Sequence, residues 1–501
     1  MGFVKANGFF DRLFKLEQNA TTVKTELAAG LTTFMTMAYI LAVNPQILSA
    51  AGIPRGGVFV ATALAAVVGT LLMAFFSNYP FVLVLGMGLN AFLAFTVVLT
   101  MGYSWQFALL AVFVEGLVFL ALSLTPVREA IFNSIPFSLK KAVAAGIGLF
   151  ICIIAMKTAG LVVDNPETLV SMVHFTDVPS ETHGICAIIA LVGTIFTGLL
   201  VVKKFKGAIL LGILFSWMLG MVAQALGIYV PDPANGFLSL YPHISVEGLS
   251  KDFGEFGSTL GALFRPEGWT HTVKGEVVGS GWSLAMSPDF IVVMFSFFFV
   301  DLFGALGSLI GISMKGEFLD KDDRLLRISG ALCADSIATV AGAVFGTSTT
   351  TTYVESASGV MAGGRTGLTG AAAAALFALS LVFAPVFLAI PGFATAPALI
   401  VVGYMMPLVV RRHKLAGRRR GASGVPRRRG NAVHILHLGR LDAQRDRVHG
   451  NQRLGRALQA HPLDNVRPRG AFHRQIRADV KTPGRRRGRL RRRLAAAHRA
   501  S

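Results

Sequence analysis

The chain has 501 residues, 53% of them hydrophobic and only 15% charged, well below the charge that soluble domains carry. The formal charge of +20 is a poor guide to partners: the 91 residues after Val410 hold 27 Lys and Arg against four acids, while Met1–Val410 holds 20 basic and 23 acidic residues, a net −3. This excludes reading the whole chain as a nucleic-acid binder, and three cysteines (Cys152, Cys186, Cys333), each inside an apolar run, exclude a disulfide framework or a cysteine metal cluster.

In chain order, residues 1–26 begin MGFVKANGFFDRLFKLEQ, amphipathic and charged where a signal peptide needs an apolar stretch, so they read as a cytoplasmic N-terminal segment. Apolar runs of membrane-spanning length follow over 27–410. Twelve spans are predicted, near 27–48, 58–77, 80–100, 104–125, 142–163, 184–203, 207–229, 289–313, 328–346, 347–362, 367–390 and 394–410. Two are irregular. The third is interrupted by GMGLN at Gly86–Asn90, and the tenth opens with GTSTTTTYVES at Gly346–Ser356, too polar and β-branched for a lipid-facing helix.

Alternating the spans from a cytoplasmic N-terminus puts 15 Lys and Arg in cytoplasmic segments and four (Arg55, Lys251, Arg265, Lys274) outside, the asymmetry of a multi-pass inner-membrane protein. Segment 230–288 then lies outside, rich in Gly, Pro and aromatic residues, and reads as an ordered surface loop with short strands or an interfacial helix.

Charges within spans are costly and concentrate at functional sites; they number five here: Glu115, Lys157, Asp301, Asp335 and Glu355. Glu115 and Lys157 fit pairing across helices or snorkelling, and Asp335, near a helix start, fits capping or a loop pair. Asp301, mid-span in FFFVDLFGALGSLIG, and Glu355, after the hydroxyl run, are the functional candidates. Backbone is left irregular at membrane depth only where it faces protein or a cavity. Breaks in the third and tenth spans are seven spans apart; an odd separation gives the two copies opposite topology, as in transporters built from inverted repeats.

These residues resemble a known family. LEQNATTVKTELAAGLTTFMTMAYILAVNP, GMGLNAFLAFTVV, FVEGLVFLALSLTPVREAI, FFFVDLF, GTSTTTTYVESASGVMAGGRTGLT and ATAPALIVVGYMM, spread from Phe9 to Met406, resemble the nucleobase–cation symporter and nucleobase–ascorbate transporter superfamily. The resemblance is strongest to its AzgA-like branch, the adenine–guanine–hypoxanthine permeases. It implies a polytopic all-α membrane protein with an inverted-repeat (7+7) fold. The third and tenth spans would each hold a short extended segment beside a half-helix. On this chain the core would be about 27–125 and 289–390 and the gate about 142–229 and 394–410, the last two spans being absent. It also implies substrate-binding residues Asn90, Asp301 and Glu355 facing one cavity. A carboxylate can accept from the adjacent N–H donors of a flat purine; Phe92 and Phe303 are candidate apolar faces, although lipid contact accounts for either. A carboxyl in a low-dielectric cavity also holds a proton more readily, making Glu355 or Asp301 the candidate carrier.

The implied function is import of guanine, hypoxanthine or adenine by proton symport, with no cofactor beyond the coupling proton, no metal and no enzymatic activity: no HExxH, usable GxSxG or Cys/His pair is present. Membrane lipids surround the chain, no nucleic acid is bound, and a homodimer stays open. The alternatives are a xanthine/uracil-type or other small-solute transporter of the same fold, or a non-functional truncated permease. The chain departs from the family in two places. VDLFDT reads Val300-Asp301-Leu302-Phe303-Gly304-Ala305, with Gly304 at the second acidic position, and residues 411–501 hold 25 Arg and two Lys where two apolar spans are due. The composition of that tail is that of GC-rich DNA in a wrong frame, so a frameshift near residue 410 and a disordered tail are expected.

Overall fold

The computed structural model describes residues 8–405, apart from 126–136, 166–167, 174–181, 204, 206, 232–238, 243–245, 319–324 and 326. The Arg-rich tail and several basic loop residues counted above (Arg128, Lys204, Lys206, Lys321, Arg324) lie outside the described residues. Among the described residues eight helices are long and apolar enough to cross a membrane, and three shorter apolar helices accompany them.

After a short helix α1 (Phe9–Phe14), the first span is built from α2 (Val23–Met37) and α3 (Ile40–Ser49). The Thr22 hydroxyl accepts the Thr25 N–H at 3.3 Å and starts α2 ahead of the predicted 27. Helix α4 (Arg55–Ser77) ends where Asn78 turns left-handed at φ 52°. The third span is strand β1 (Leu83–Leu85), then α5 (Met87–Ala91), which continues as a π-helix through Phe92–Thr100. Ser104 caps α6 (Trp105–Ser123); α7 (Phe137–Thr158), hairpin strands β2 (Val162–Asn165) and β3 (Leu169–Met172), α8 (Thr182–Val202) and α9 (Ala208–Ala225) follow.

The described part of 230–288 holds α10 (Val246–Thr259), hairpin β4–β5 (Thr270–Val273, Glu276–Ser280) and the short α11 (Trp282–Ala285), the helix and strands expected of it. Ser287 and Pro288 open α12 (Pro288–Gly316). Helix α13 (Ile328–Phe345) ends at Gly346, φ 91°, and leads into β6 (Thr350–Thr352) and the half-helix α14 (Ser356–Met361). Helices α15 (Gly367–Ser380), α16 (Ala384–Leu388) and α17 (Gly392–Met405) complete the described chain.

The helical architecture is as expected, and so are the short extended segments of the broken spans: among the described residues three two-stranded antiparallel sheets accompany the helices, β1–β6, β2–β3 and β4–β5. The first joins the two broken spans in the register Leu83↔Thr352, Val84↔Thr351, Leu85↔Thr350. A run of β-branched threonines favours that extended backbone, and each strand satisfies the other's amides inside the protein.

Asp335 lies well inside α13 and fully buried, and of the two expected roles it takes the pair rather than the cap: its Oδ1 accepts the Thr352 N–H at 3.1 Å and so tethers β6. Close approach by small residues sets this core. A Cβ on Gly69 of α4 would come within 2.9 Å of Ala338 on α13, which is how apolar helices pack without a large side chain between them.

Outside the spans, α10 lies over the start of α4. Glu255 accepts the Gly56 N–H at 2.8 Å, and a Cβ at Gly56 would strike Asp252 at 2.2 Å. Burial, then the charge of Glu255, push the Asp252 carboxyl up to about 6 from an ordinary 3.8, against the pull of Lys251. A carboxyl raised in the fold supports the contact fully below its ordinary value and loses that support as pH climbs through the folded one. Asp252→Asn is expected to flatten the pH dependence of hydrogen-exchange protection over 246–259 between about pH 4 and 7. A variant that keeps the wild-type profile excludes Asp252 as its source.

Candidate functional site

The two broken spans meet in the middle of the helices, and each is held there by the other and by its neighbours. Gly86 N–H donates to Thr349 O at 3.0 Å, Tyr353 N–H to Val82 O at 3.2 Å, and Val82 N–H to the Ser356 hydroxyl at 3.0 Å. Thr339 on α13 donates to Thr350 O at 2.9 Å. With Asp335 these bonds fix β6 and the residues just beyond it, Tyr353 and Glu355.

Beside this crossing is a cavity of about 250 Å³. Asp301, Gly304 and Ser308 reach it from α12, and Thr351, Tyr353 and Glu355 from the tenth span. The start of the third-span half-helix, Met87–Leu89, forms another wall, with Ile209, Val402 and Met405 at the rim. Two of the three sequence-predicted residues are therefore brought together. Asp301 is 1% exposed and Glu355 is half-buried. The spacing of Asp301, Gly304 and Ser308 along α12 is one helical face.

Asn90 is not at the cavity. It is fully buried on α5, its amide nitrogen donates to Asn44 Oδ1, and Asn44 in turn donates to Thr62 at 2.7 Å and Thr347 at 3.3 Å. These bonds tie the first, second, third and tenth spans together behind the cavity wall. In this arrangement the Asn90 nitrogen braces the half-helix, while its buried amide oxygen has no hydrogen-bond partner. Phe92 meets Phe297 edge-on at 5.0 Å and Phe303 lies over Phe299 at 6.3 Å; neither lines the cavity. Glu115 is buried on α6, whose Gly116 abuts Val340 of α13, and Lys157 is exposed at the end of α7. Among the described residues no cluster of His, Cys, Asp and Glu could hold a metal.

Sequence reasoning missed Tyr39 and Asn44. The Tyr39 hydroxyl, fully buried, donates to Glu355 Oε1 at 3.5 Å. Both residues lie in the first span, in MAYILAVNP, whose neutral polar groups a search for charges passes over. Gly304 leaves the cavity wider than a side chain would: a Cβ built there meets nothing within 4 Å.

The direction of the helices shows where the cavity opens. Successive spans alternate, so the turns Ser49–Arg55, Thr100–Trp105 and Leu388–Gly392 lie on the far side from the N-terminus. The rim residues Ile209, at the start of α9, and Met405, at the end of α17, lie on the near side. The cavity thus opens from mid-depth toward the N-terminal side. Chemically it offers two carboxylates that accept N–H donors, tyrosine and threonine hydroxyls, and apolar walls to cover a flat ring.

The Xan_ur_permease family model, a permease family, matches residues 24–416. A putative permease of Methanocaldococcus jannaschii is 43% identical over 398 residues, 79% of this chain and 82% of that protein. The guanine/hypoxanthine permease PbuO of Bacillus subtilis is 40% identical, covering 79% and 83%. The adenine permease AdeP of Escherichia coli is 38% identical, covering 80% of each. Among solved structures, the transmembrane domain of a cyanobacterial bicarbonate transporter, BicA, superposes with a TM-score of 0.53 at 16% identity, covering 78% of this chain and 89% of that one. That likeness carries the inverted-repeat membrane fold.

Proposed function

Because the chain belongs to the Xan_ur_permease family of permeases, we propose that it is a secondary transporter importing purine nucleobases such as guanine, hypoxanthine or adenine. Transport is by proton symport across the inner membrane, with the N-terminus cytoplasmic. The observation that carries this reading is the pair Asp301 and Glu355 on one cavity beside the two half-helices. Two carboxylates with tyrosine hydroxyls suit the N–H edge of a neutral heterocycle and repel an anion. That sets aside an anion substrate despite the fold shared with a bicarbonate transporter. The relatives named as guanine/hypoxanthine and adenine permeases support the same class.

Transport of this kind requires the core (about 27–125 and 289–390) to move against the gate (about 142–229 and 394–410), and the cavity opening toward the basic-loop side corresponds to an inward-facing state. Uptake of radiolabelled adenine, guanine, hypoxanthine, xanthine and uracil into cells lacking their own permeases tests the substrate class. Purine uptake that a protonophore abolishes is the expected result. No purine uptake overturns the substrate, and indifference to the protonophore overturns the coupling.

The family match ends at residue 416, close to the change of composition after Val410, which supports a shifted reading frame as the source of the tail. Translating the coding DNA in the other two frames from codon 410 is expected to yield two apolar runs of about 20 residues. If neither frame contains them, the tail is genuine sequence and the frameshift is wrong.

A further inference from the structure

A second, larger cavity of about 450 Å³ lies at the opposite end of the helices. Gln46 near the end of α3, Arg55 at the start of α4, Lys157 at the end of α7, Tyr229 past α9, and Ile390 and Phe393 at the α16–α17 turn all line it, and all lie on the far side defined above. It is a vestibule on the side from which an importer's cargo arrives.

Its chemistry is the reverse of the central cavity's. Two cationic side chains reach it, and no Asp or Glu is among the described residues that line it. Arg55 Nη2 donates to Ile390 O at 3.2 Å, an oxygen that Gln46 Nε2 also takes at 2.7 Å, and Arg55 Nε has no hydrogen-bond partner. A guanidinium held by one shared carbonyl retains donor capacity and charge for an acceptor-rich ligand. Tyr229 and Phe393, both buried and packed on each other with centroids 6.1 Å apart, give its wall an apolar aromatic backing.

We propose that this vestibule is a docking subsite for oxopurines. It takes the keto-oxygen and ring-nitrogen edge against Arg55, with Lys157 at the mouth and the flat ring against the wall backed by Tyr229 and Phe393. This rests on the purine reading above. An arginine or lysine facing adjacent keto and ring-nitrogen acceptors is the pairing that selects guanine over adenine, because adenine presents an amino donor at the keto position. A cavity of about 450 Å³ with apolar wall from Leu240, Leu388 and Phe393 favours a flat heterocycle over a small oxyanion, which shares the acceptor chemistry but leaves that wall uncovered. The two cavities then grip opposite edges of one molecule. An oxopurine held outside by its acceptor edge leaves its N–H edge free for Asp301 and Glu355.

The test is equilibrium binding of labelled guanine and adenine to the purified full chain, in wild type and in Gly304→Leu, which fills the central cavity. Wild type is expected to bind guanine at two sites per chain and adenine at one, and Gly304→Leu to keep one guanine that Arg55→Met removes. In uptake assays Arg55→Met lowers the guanine-to-adenine ratio of kcat/KM about tenfold, whereas a folding defect lowers both substrates together and leaves the ratio intact. A wild-type chain that binds one guanine, lost in Gly304→Leu, overturns the subsite and leaves the purine reading standing. A wild-type chain that binds no purine overturns both. Residual guanine in Gly304→Leu that Arg55→Met does not remove also overturns the subsite, as does sulfate binding there in a way that guanine does not displace.

Discussion

Replacing Glu355 by Ala is expected to lower purine kcat/KM about a hundredfold or more, and Asp301→Ala to do the same. The two carboxylates face one cavity from different elements, α12 and the tenth span. Removing either leaves purine N–H donors without their carboxylate acceptor. The conservative variants separate binding from coupling. Glu355→Gln keeps an acceptor oxygen and the Tyr39 contact but cannot exchange a proton with solvent. It is expected to retain counterflow exchange of labelled purine across proteoliposomes while losing accumulation driven by an imposed pH gradient. Asp301→Asn measured the same way assigns the proton between the two: the carrier is the residue whose amide exchanges but does not accumulate. Wild-type uptake in Glu355→Ala would remove this residue, and the site built on it, from consideration.

Much of this site was legible because intramembrane charge is rare, and two of the five charged residues in the spans proved to line the cavity. The irregular third and tenth spans were legible for a similar reason: glycine and threonine runs at membrane depth demand special backbone. What could not be read was the partner of each polar group. Asp335 reads as a cap or a loop pair from its place in the chain, and only the fold shows that its oxygen holds Thr352 from the interior of α13. Asn90 belongs to a motif whose resemblance implies ligand contact; its amide nitrogen is held by Asn44, 46 residues away, and its oxygen has no hydrogen-bond partner. Neutral residues such as Asn44 and Tyr39 carry no periodic or charge signal. Their roles depend on tertiary neighbours, some in the same repeat (Thr62 and Asn90 for Asn44) and some in the other (Thr347 for Asn44, Glu355 for Tyr39).

Glu26 shows how far apart such partners can be, and its loss is expected to have the largest effect on stability. In sequence it is a first-turn acid on α2, an ordinary helix feature. In the fold it is fully buried, and its carboxylate receives the start of α15, some 340 residues on. Oε2 accepts from Thr366 N at 3.2 Å and Oγ1 at 2.9 Å, and from Thr369 N at 3.2 Å and Oγ1 at 2.6 Å. Oε1 accepts from Arg365 N at 2.9 Å and Thr21 Oγ1 at 2.7 Å. Glu26→Ala strands several buried donors at once, each costing about 1–3 kcal/mol, so a loss of about 5 kcal/mol is expected after relaxation. Glu26→Gln keeps one acceptor oxygen and should fall between. Melting of the detergent-solubilised chain, followed by size-exclusion fluorescence, reads both; an alanine variant as stable as wild type would show the cluster to be dispensable. The effect is not confined to stability. Arg365, held through its backbone by Glu26, donates from Nη1 to Val360 O at 3.1 Å, so the same cluster secures the end of α14, the half-helix that begins just after Glu355. Loosening it lets Glu355 shift relative to Asp301 across the cavity, and any Glu26→Ala protein that survives purification is expected to bind purine more weakly, although residue 26 lies outside the cavity.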